Sequence, residues 1–397
     1  MNDIKYFSEN IDIQDKKVIL RLDLNVPIKD KIIQDETRII LNLPFLKNLI
    51  ERKAKIIIIS HLGRPKGVKN IDLSLMPIYK FLKNSLKTNI YFFTGDINND
   101  ETKDKLSYLI KGDVLLLENI RFFKGENDND DNFAQTLASL GDIYINEAFS
   151  CSHRKQASVH KIVKYINKSY AGPLFKKEVT AIDSVIKNKK KPVTCIIGGS
   201  KISTKINILT NLIKNVDNLV IVGAMANNFL AKQGFKVGNS LIENNSDEII
   251  DDIYKKASQY NCNIFIPQDC KVSTSFEKSG TVKEMDSIDD DEMILDIGPK
   301  TIKNIEEIID KSNTILWNGP AGYFENINFS VGTLAIANKI SENTNKRALI
   351  SVLGGGDTIS AVNKKNNKFS FTHLSTAGGA FLEYLEGKDL PGLSVLK

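Results

Sequence analysis

Nine short apolar runs alternate with longer amphipathic segments along the chain, and this order constrains the fold more than any other feature. One run contains four consecutive isoleucines, Ile56–Ile59, without the apolar–polar alternation of a strand that has one face in water. Such a strand is typical of a parallel sheet that helices cover on both faces. Strands that alternate with helical segments therefore predict an α/β fold with doubly wound parallel sheets. The runs lie at Val18–Val26, Lys55–Ser60, Asp113–Phe122, Asp142–Phe149, Val193–Gly199, Asn218–Ala226, Asn263–Asp269, Thr314–Pro320 and Ala348–Thr358.

The length of 397 residues exceeds what one hydrophobic core supports, so more than one domain is expected. The segment Ala171–Pro192 lies between the fourth and fifth runs, opens with a Gly-Pro pair and ends in lysines and a proline. This composition is typical of a helical connector between domains. We predict two Rossmann-like domains that face a cleft, an N-terminal one at residues 1–170 and a C-terminal one at 192–384. An interdomain helix at 171–191 is expected to join them.

The composition argues against several classes of protein. No apolar run approaches the ~20 residues of a membrane helix, and the polar start of the chain is unlike a signal peptide. The four cysteines, Cys151, Cys195, Cys262 and Cys270, have no CxxC spacing, which favours reduced thiols in the cytoplasm over a zinc site or disulfides. A net charge of +6 is spread without a basic block, so we expect no nucleic-acid partner and no membrane partner.

Only seven of the 54 basic residues are arginines, so each arginine suggests a place where a rigid, bidentate fork is needed. Four of them, in the first half of the chain, are Arg38, Arg64, Arg121 and Arg154. A single arginine at a strand end is usually a surface ion pair. Four in one half indicate a site for a small polyanion, because each charge-assisted hydrogen bond contributes about 1.5–3 kcal/mol.

Three other polar residues follow strands in the same half. His61 and the pair Asp23 and Asn25 are expected at the carboxyl ends of parallel strands, where ligands bind in such sheets. Each also has a structural interpretation, as a core histidine or as turn and capping residues. The residues alone leave both interpretations open.

The second half has glycine-rich turns at the same kind of position. A glycine turn before a helix exposes amide N–H groups and the positive end of the helix dipole, which suits phosphate. Asp357 adds a carboxylate beside one turn, as a magnesium–phosphate site requires. Lys201 and Lys205 are predicted to lie on one face at the start of a helix, around an anion. The turns lie at Gly198–Lys201, Gly223–Ala224, Asn318–Pro320, Gly354–Thr358 and Ser375–Gly379.

These residues predict an enzyme that transfers a phosphoryl group between two substrates, a polyanionic acceptor on the first domain and a nucleotide on the second. Neither a Walker A loop nor a GxGxxG motif is present. Two alternatives remain open, a non-catalytic nucleotide-binding scaffold and a kinase for an unphosphorylated acid such as acetate or aspartate. The acidic clusters Asp128–Asp131 and Asp289–Glu292 lack the spacing of a calcium loop and are interpreted as caps and exposed loops.

The chain resembles the phosphoglycerate kinase family along essentially its whole length. The resemblance rests on many ordered motifs rather than on one. They are RLDLNVPIKDKIIQDETRI, SHLGRPKG, LLENIRF, EAFSCSHR, AGPLFKKE, GGSKISTK, GAMANNFL, DIGPKT, WNGPAGYFE, GGGDT and STAGGAFLEYLEGKDLPG.

The resemblance implies reversible transfer between 1,3-bisphosphoglycerate plus ADP and 3-phosphoglycerate plus ATP, with Mg²⁺, in a cytoplasmic monomer. It implies a phosphoglycerate site at Asp23, Asn25, Arg38, His61, Arg64, Arg121 and Arg154. It implies a nucleotide site at Lys201, Lys205, Gly223, Ala224, Gly298, Asn318, Glu325, Gly355, Gly356, Asp357 and Thr358, with Asp357 on the metal side. Arg38, Lys201, Gly378 and Gly379 match positions around the transferring phosphoryl group.

Further expectations concern closure and departures from the family pattern. Residues of about 385–397 are expected to return to the first domain, and closure of the cleft is expected to bring Arg38 and Lys201 together. Glu147 stands where the family usually has aspartate, and Ala377 replaces a glycine. An alanine there is tolerable only if its backbone stays in an allowed region.

Overall fold

The computed structural model describes residues 4–97, 99–363 and 368–397. The chain divides into two compact units. The first consists of Met1–Glu178 and Asp389–Lys397, and the second of Val179–Lys388. The domain limits at 170 and 192 stay a prediction, because this division by compactness passes through the long helix Pro173–Ile186.

The first unit is built on a six-stranded sheet in the order β5-β6-β4-β1-β7-β8, and every strand pair in it is parallel. Ile56–Ile59 are fully buried in the central strand β4, as their lack of alternation predicts. A small antiparallel hairpin, β2 with β3, follows the first strand. The strands are β1 (Lys17–Arg21), β2 (Ile28–Lys29), β3 (Ile32–Ile33), β4 (Lys55–Ile59), β5 (Ile90–Phe93), β6 (Val114–Leu117), β7 (Ile143–Asn146) and β8 (Ser169–Ala171).

Helices follow the strands of the first unit. The helix at Asp131–Ser139 begins as its sequence predicts, because Asp130 Oδ1 accepts a hydrogen bond from the backbone N–H of Phe133 over 2.8 Å. The C-terminal segment packs on this unit, where the N–H of Gly392 donates to the carbonyl of Ser152. The helices are Thr37–Glu51, Met76–Ser85, Asp100–Ser107, Lys124–Asn127, Asp131–Ser139, Ile162–Tyr165 and Pro391–Ser394, and the helix Pro173–Ile186 begins in this unit and ends in the second.

The second unit contains a six-stranded parallel sheet in the order β11-β10-β9-β15-β16-β17 and a separate antiparallel sheet in the order β13-β12-β14. The strands are β9 (Val193–Ile197), β10 (Asn218–Ile221), β11 (Asn263–Phe265), β12 (Asp269–Ser273), β13 (Thr281–Glu284), β14 (Met293–Ile297), β15 (Thr314–Asn318), β16 (Ile350–Gly354) and β17 (His373–Ser375). The helices are Ile206–Ile213, Met225–Lys232, Asp247–Gln259, Pro299–Lys311, Val331–Arg347, Gly356–Asn363 and Gly379–Leu385.

The predicted α/β class with two parallel sheets is confirmed, and each of the nine apolar runs contains a strand. The antiparallel sheet was not predicted. One local prediction is wrong: Lys201 and Lys205 do not share a helix face, because the helix begins only at Ile206. A short 3₁₀ turn at Ser203–Lys205 precedes it, which leaves Lys201 in a loop.

None of the helices in the described ranges has the length and apolarity required to cross a bilayer.

Candidate active site

In the first unit, polar side chains follow four strands that are adjacent in the sheet. Asp23 and Asn25 follow β1, His61 follows β4, Arg121 follows β6, and Arg154 follows β7. Since the order of these strands is β6-β4-β1-β7, their carboxyl ends share one edge of the sheet. The fold therefore brings residues from distant parts of the sequence to the edge where ligands bind in α/β proteins.

Arg38 reaches this edge from the second residue of its helix. Its Nη1 atom lies 3.0 Å from Asp23 Oδ2 and donates to the carbonyl oxygen of Asn25 over 2.9 Å. The Asn25 side chain accepts from the N–H of Gly63 over 2.8 Å, so it links the loops after β1 and β4. Ser150 also donates to Asp23. Asp23 and Asn25 thus hold the loops and the Arg38 guanidinium in place.

Arg121 is almost entirely buried, and its two terminal nitrogens are held in different directions. Nη1 donates to the carbonyl of Gly63 over 2.8 Å, and Nη2 donates to Gln156 Oε1 over 3.2 Å. Burial lowers the pKa of Arg121 to about 10, so the guanidinium remains charged at neutral pH. A buried, fixed cation loses little entropy when it binds an anion.

His61 is buried, and a neighbouring arginine determines which of its ring nitrogens carries the proton. Burial, and then the charge of Arg21, hold the pKa of His61 well below its usual range, and Arg121, Arg38 and Arg154 add to the effect. Arg21 Nη2 lies 3.3 Å from His61 Nδ1. A guanidinium can only donate, so Nδ1 accepts and the ring proton is on Nε2. His61 is therefore a neutral hydrogen-bond donor, unsuited to act as a general base.

Arg21 is the main residue at this edge that sequence reasoning missed. Its side chain is fully buried, and its Nε donates to Ser158 Oγ over 2.9 Å. Ser158 in turn donates from Oγ to Glu126 Oε1 over 2.7 Å and from its N–H to Oε2 over 2.8 Å. Glu126 is the buried acid that balances the Arg21 charge, although burial raises its pKa. Arg21 lies inside an apolar run, and this position was a signal in the sequence, since a charged residue there needs a buried partner.

The remaining two predicted arginines are more exposed. Arg154 is half-buried, and its Nε donates to His153 Nε2 over 3.1 Å. Arg64 is exposed and has no hydrogen bond or ion pair within residues 4–97, 99–363 and 368–397. The carboxyl ends of neighbouring strands thus bring together the predicted residues Asp23, Asn25, Arg38, His61, Arg121 and Arg154, whereas Arg64 lies on the adjoining loop.

The second unit contains an open cavity of about 560 Å³ at the carboxyl ends of its strands. Four of the predicted nucleotide residues line it, namely Gly223, Ala224, Glu325 and Asp357. Its apolar wall includes Leu241, Leu295, Phe276 and Tyr323, and the two rings are 4.8 Å apart between centroids. An apolar slot with glycine turns and a carboxylate at its edge suits a base with attached phosphates.

Three predicted side chains support the glycine turns of this unit instead of lining the cavity. Lys205 Nζ donates to the carbonyl of Gly198 and, over 2.8 Å, to Asn318 Oδ1. The Asn318 amide donates to the carbonyl of Gly354, also over 2.8 Å. Thr358 Oγ1 accepts from the N–H of Gly319 over 2.7 Å. Burial lowers the pKa of Lys205 to about 8, while the charge of Asp357 acts in the opposite direction.

Backbone conformation explains the glycines at two of these turns. Gly355 has φ +98°, and Gly319 has φ +105°, both in the region that side chains disfavour. A Cβ at Gly319 would also lie 2.3 Å from the carbonyl oxygen of Gly198. The turns therefore require glycine, and they let two loops pass in direct backbone contact.

Asp357 has the surroundings of a possible metal ligand. Its carboxylate is exposed, lines the cavity, and makes no hydrogen bond or ion pair with another described residue. No group of three or more acidic, histidine or cysteine residues in the described part of the chain could hold a metal by itself. This donor set fits Mg²⁺ bound mainly by phosphates, because magnesium commonly uses one or two protein carboxylates together with a nucleotide.

Three further predicted glycines lie at helix starts. Gly298 precedes Pro299–Lys311, but the first amides of that helix are bonded to the buried Asp269, at 2.9 Å from Lys300 and 2.8 Å from Thr301. Gly378, with φ +56°, and Gly379 lie at the start of Gly379–Leu385. Ala377 is not among the residues with positive φ, so the alanine in this turn is unstrained.

Glu147 is buried at the start of the helix Pro173–Ile186. Its Oε2 accepts from the N–H of Phe175 over 3.0 Å, while Oε1 has no partner in the described residues. Burial raises its pKa to about 8. A Cβ on Gly172 would lie 2.3 Å from its carboxyl carbon, so the longer acid fits only because Gly172 has no side chain.

Comparisons with known proteins agree on one family. The sequence model of the phosphoglycerate kinase family matches residues 8–388. The chain is 44% identical over 391 residues to a phosphoglycerate kinase of Wolbachia from Drosophila simulans (strain wRi), covering 98% of each chain. It is 44% identical over 395 residues to one from Rhizobium meliloti (strain 1021), covering 99% of this chain and 98% of the relative.

Solved structures show the same likeness. The phosphoglycerate kinase structure from Coxiella burnetii matches with a TM-score of 0.89 at 38% identity and covers 98% of both chains. The structure from Pyrococcus horikoshii OT3 matches with a TM-score of 0.79 at 28% identity, again over 98% of both chains. The likeness therefore extends over both units.

Proposed function

This chain belongs to the phosphoglycerate kinase family, and we propose that it transfers a phosphoryl group reversibly between 1,3-bisphosphoglycerate plus ADP and 3-phosphoglycerate plus ATP. One observation carries the proposal beyond the family likeness. Arg38, Arg121 and Arg154 lie with the buried, neutral His61 at the carboxyl-end edge of the first sheet, where Asp23 holds Arg38 and the carbonyl of Gly63 holds Arg121. A substrate with a phosphate and a carboxylate accounts for this number of donors better than a simple acid does.

The acceptor group is proposed to be the carboxylate of 3-phosphoglycerate. A carboxyl group of this kind has a pKa of about 3.5 and is ionised at neutral pH, so the nucleophile needs no general base. The neutral state of His61 supports this view, because its Nε2–H can donate to an anion but Nδ1 already accepts from Arg21. The reaction then depends on alignment and on positive charge rather than on proton removal.

The nucleotide is proposed to bind at the cavity of the second unit. The apolar wall would hold the base, Glu325 would face the sugar, and the amides around Gly223 and Gly355–Thr358 would face the phosphates. Lys205, Asn318 and Thr358 hold those turns in shape. Gly298 is proposed to contribute through the conformation of its turn. The helix amides that follow it are not proposed as phosphate donors, because they are bonded to Asp269.

Mg²⁺ is proposed as the cofactor, with Asp357 as its protein ligand. When bound, the ion would neutralise part of the charge on the nucleotide phosphates. Arg38 and Lys201 are proposed to stabilise the transferring phosphoryl group, together with the backbone amides of Gly378 and Gly379. Arg38 is already oriented by Asp23 and by the carbonyl of Asn25.

We further propose that the protein is a cytoplasmic monomer that acts on small molecules only. The four cysteines are free and buried, in keeping with a reducing compartment. Elution of the purified protein at the mass of one chain would agree with a monomer, and elution at twice that mass would contradict it.

A coupled assay of ATP consumption tests the proposed function. With 3-phosphoglycerate and Mg²⁺ we expect turnover at least about 100-fold above that with glycerate, acetate or aspartate, because only the phosphorylated acid engages all the arginines. Activity confined to the unphosphorylated acids would overturn the proposal. Nucleotide binding without turnover on any acid would favour the scaffold alternative.

A further inference from the structure

One acidic side chain links two nucleotide-site motifs without belonging to either. Glu243 lies in the loop between the helices Met225–Lys232 and Asp247–Gln259. Its carboxylate accepts two hydrogen bonds from Ser203, one from the N–H over 3.0 Å and a shorter one from the hydroxyl. Ser203 lies between Lys201 and Lys205, so the carboxylate is attached to the loop that carries both lysines.

Glu243 is itself held by a buried anchor. Its N–H donates to Asn228 Oδ1 over 2.8 Å, and Ser246 Oγ donates to the same oxygen over 3.2 Å. Asn228 is only 2% exposed and belongs to the helix whose first residues line the nucleotide cavity. Glu243 therefore links this helix, through its backbone N–H, to the loop that carries both lysines, through its carboxylate. The bonds from Ser203 lower the pKa of Glu243, so it is ionised at neutral pH.

The two lysines of that loop depend on the link to different degrees. Lys205 is bonded directly to Gly198 and Asn318. Lys201 is exposed, and its ammonium group has neither a hydrogen bond nor an ion pair with any residue that the structure describes, although its charge helps to lower the pKa of Glu243. The backbone of Lys201 is connected to the next turn, where Thr204 Oγ1 donates to its carbonyl over 2.9 Å. The position of Lys201 thus follows from the position of Ser203 and Thr204.

We propose that Glu243 is a positioning residue that holds the Lys201 loop for phosphoryl transfer. This inference rests on the proposed function, in which Lys201 acts on the transferring group. A displacement of about 1 Å can lower a transfer rate by about 100-fold, so a loop that carries a transition-state residue needs such support. Nucleotide binding needs it less, since Lys205 and the glycine turns are held by other bonds.

Glu243→Ala and Glu243→Gln test the proposal by steady-state kinetics. We expect Glu243→Ala to lower kcat by about 10- to 100-fold, with KM for ATP and for 3-phosphoglycerate changed by less than about 3-fold. Glu243→Gln keeps one acceptor oxygen and should lie between this variant and the unmodified enzyme. Glu248→Gln is the matched control, because Glu248 is exposed, lies five residues away and has no described side-chain partner. Its kcat should be unchanged.

A double-mutant cycle tests whether the effect of Glu243 on kcat depends on its hydrogen bonds with Ser203. Ser203→Ala removes the hydroxyl donor, so the combined variant with Glu243→Gln should be less than about 2-fold slower than Glu243→Gln alone. Fully multiplicative effects would contradict the link. The melting temperature should change little, because both side chains are near the surface.

The outcomes separate this inference from the proposed function. If the unmodified enzyme has no activity with 3-phosphoglycerate, the proposed function is wrong. If the unmodified enzyme is active and Glu243→Ala retains its kcat, or loses it only together with nucleotide affinity, the positioning role is wrong while the function stands.

Discussion

The two units differ in how they build their proposed ligand sites. In the first, charged side chains face the site and other side chains hold them, as Asp23 holds Arg38 and Arg21 holds His61. In the second, Asn318, Thr358 and Lys205 turn inward to hold glycine loops, and the backbone faces the cavity. A small acceptor that carries its own charge needs side-chain cations, whereas a nucleotide bound through phosphates can use backbone amides. Substitutions should therefore act on charge in one unit and on backbone geometry in the other.

The largest effect is expected for Arg38→Ala. Loss of the proposed donor to the transferring group should lower kcat by about 10²–10³-fold, while the Kd for nucleotide stays within about 2-fold. Kinetics and calorimetry give the two values. Arg52→Ala is the matched control, since the Arg52 guanidinium donates to the carbonyls of Glu9 and Ile11 and lies outside the predicted site. A near-normal kcat in Arg38→Ala would contradict the view that side-chain charge is what the first unit contributes.

Gly319→Ala tests the backbone half of the comparison. With φ +105° and a Cβ placed 2.3 Å from the carbonyl oxygen of Gly198, the variant should lose about 2–3 kcal/mol of unfolding free energy. It should also raise KM for ATP and leave KM for 3-phosphoglycerate unchanged. For stability, Gly356→Ala is the control, because nothing lies within 4 Å of its added Cβ. Equal melting temperatures for the two variants would contradict the geometric argument.

Arg21→Met tests the indirect support of His61. Without the guanidinium the pKa of His61 should rise, because the Arg21 charge now lowers it, and the ring proton is no longer fixed on Nε2. KM for 3-phosphoglycerate should increase about 10-fold, the effect of one charge-assisted hydrogen bond. The protein has four histidines, so NMR titration can resolve the imidazole of His61. An unchanged pKa and KM would show that Arg21 serves packing alone.

The last expected effect is a pH dependence of stability at Glu147, which amounts to about 1.4 kcal/mol over the single unit between pH 6 and pH 7. Its pKa of about 8 in the folded state exceeds the unfolded value of 4.5, so the folded protein binds more protons between these values. The contribution of Glu147 to the free energy of unfolding is fully present below pH 4.5. It falls as the pH rises toward 8, by up to about 1.4 kcal/mol per pH unit. Glu147→Gln should remove this part of the slope.

Urea unfolding at pH 6 and pH 7 measures the change. Asp296 in the second unit is a buried acid with a pKa of about 7 and should keep its own contribution in the Glu147→Gln protein. A slope identical to that of the unmodified protein would show that Glu147 does not titrate in this range.

Local hydrophobicity is sufficient to predict the central strands and insufficient elsewhere. It does not reveal the strands Ile90–Phe93, Ser169–Ala171 and His373–Ser375, each of which lies at the edge of a sheet, where the apolar pattern is short. It does not reveal the antiparallel sheet either, because strands such as Thr281–Glu284 carry polar side chains and depend on pairing with distant segments.

For the site, the sequence indicates which residue types matter but not where their side chains lie. Arginine is rare in this chain, and this scarcity, together with positions that follow the apolar runs, marks Arg38, Arg64, Arg121 and Arg154 as candidate anion ligands. The role of Arg21 depends on Ser158, which is 137 residues away in sequence. Likewise, nothing local indicates that the helix after Lys201 begins only at Ile206, or that Glu243 reaches Ser203.

The central claim is that each unit binds a different substrate. NMR of the ¹⁵N-labelled protein, with each substrate added alone, tests this claim most directly. With 3-phosphoglycerate, amide shifts should change at Asp23–Asn25, His61–Gly63 and Arg121. With ATP and Mg²⁺, they should change around Gly198–Lys205 and Gly355–Thr358. Two separate sets of shifted amides are expected, one in each unit. A 3-phosphoglycerate response confined to the second unit, or a single set common to both ligands, would contradict this claim.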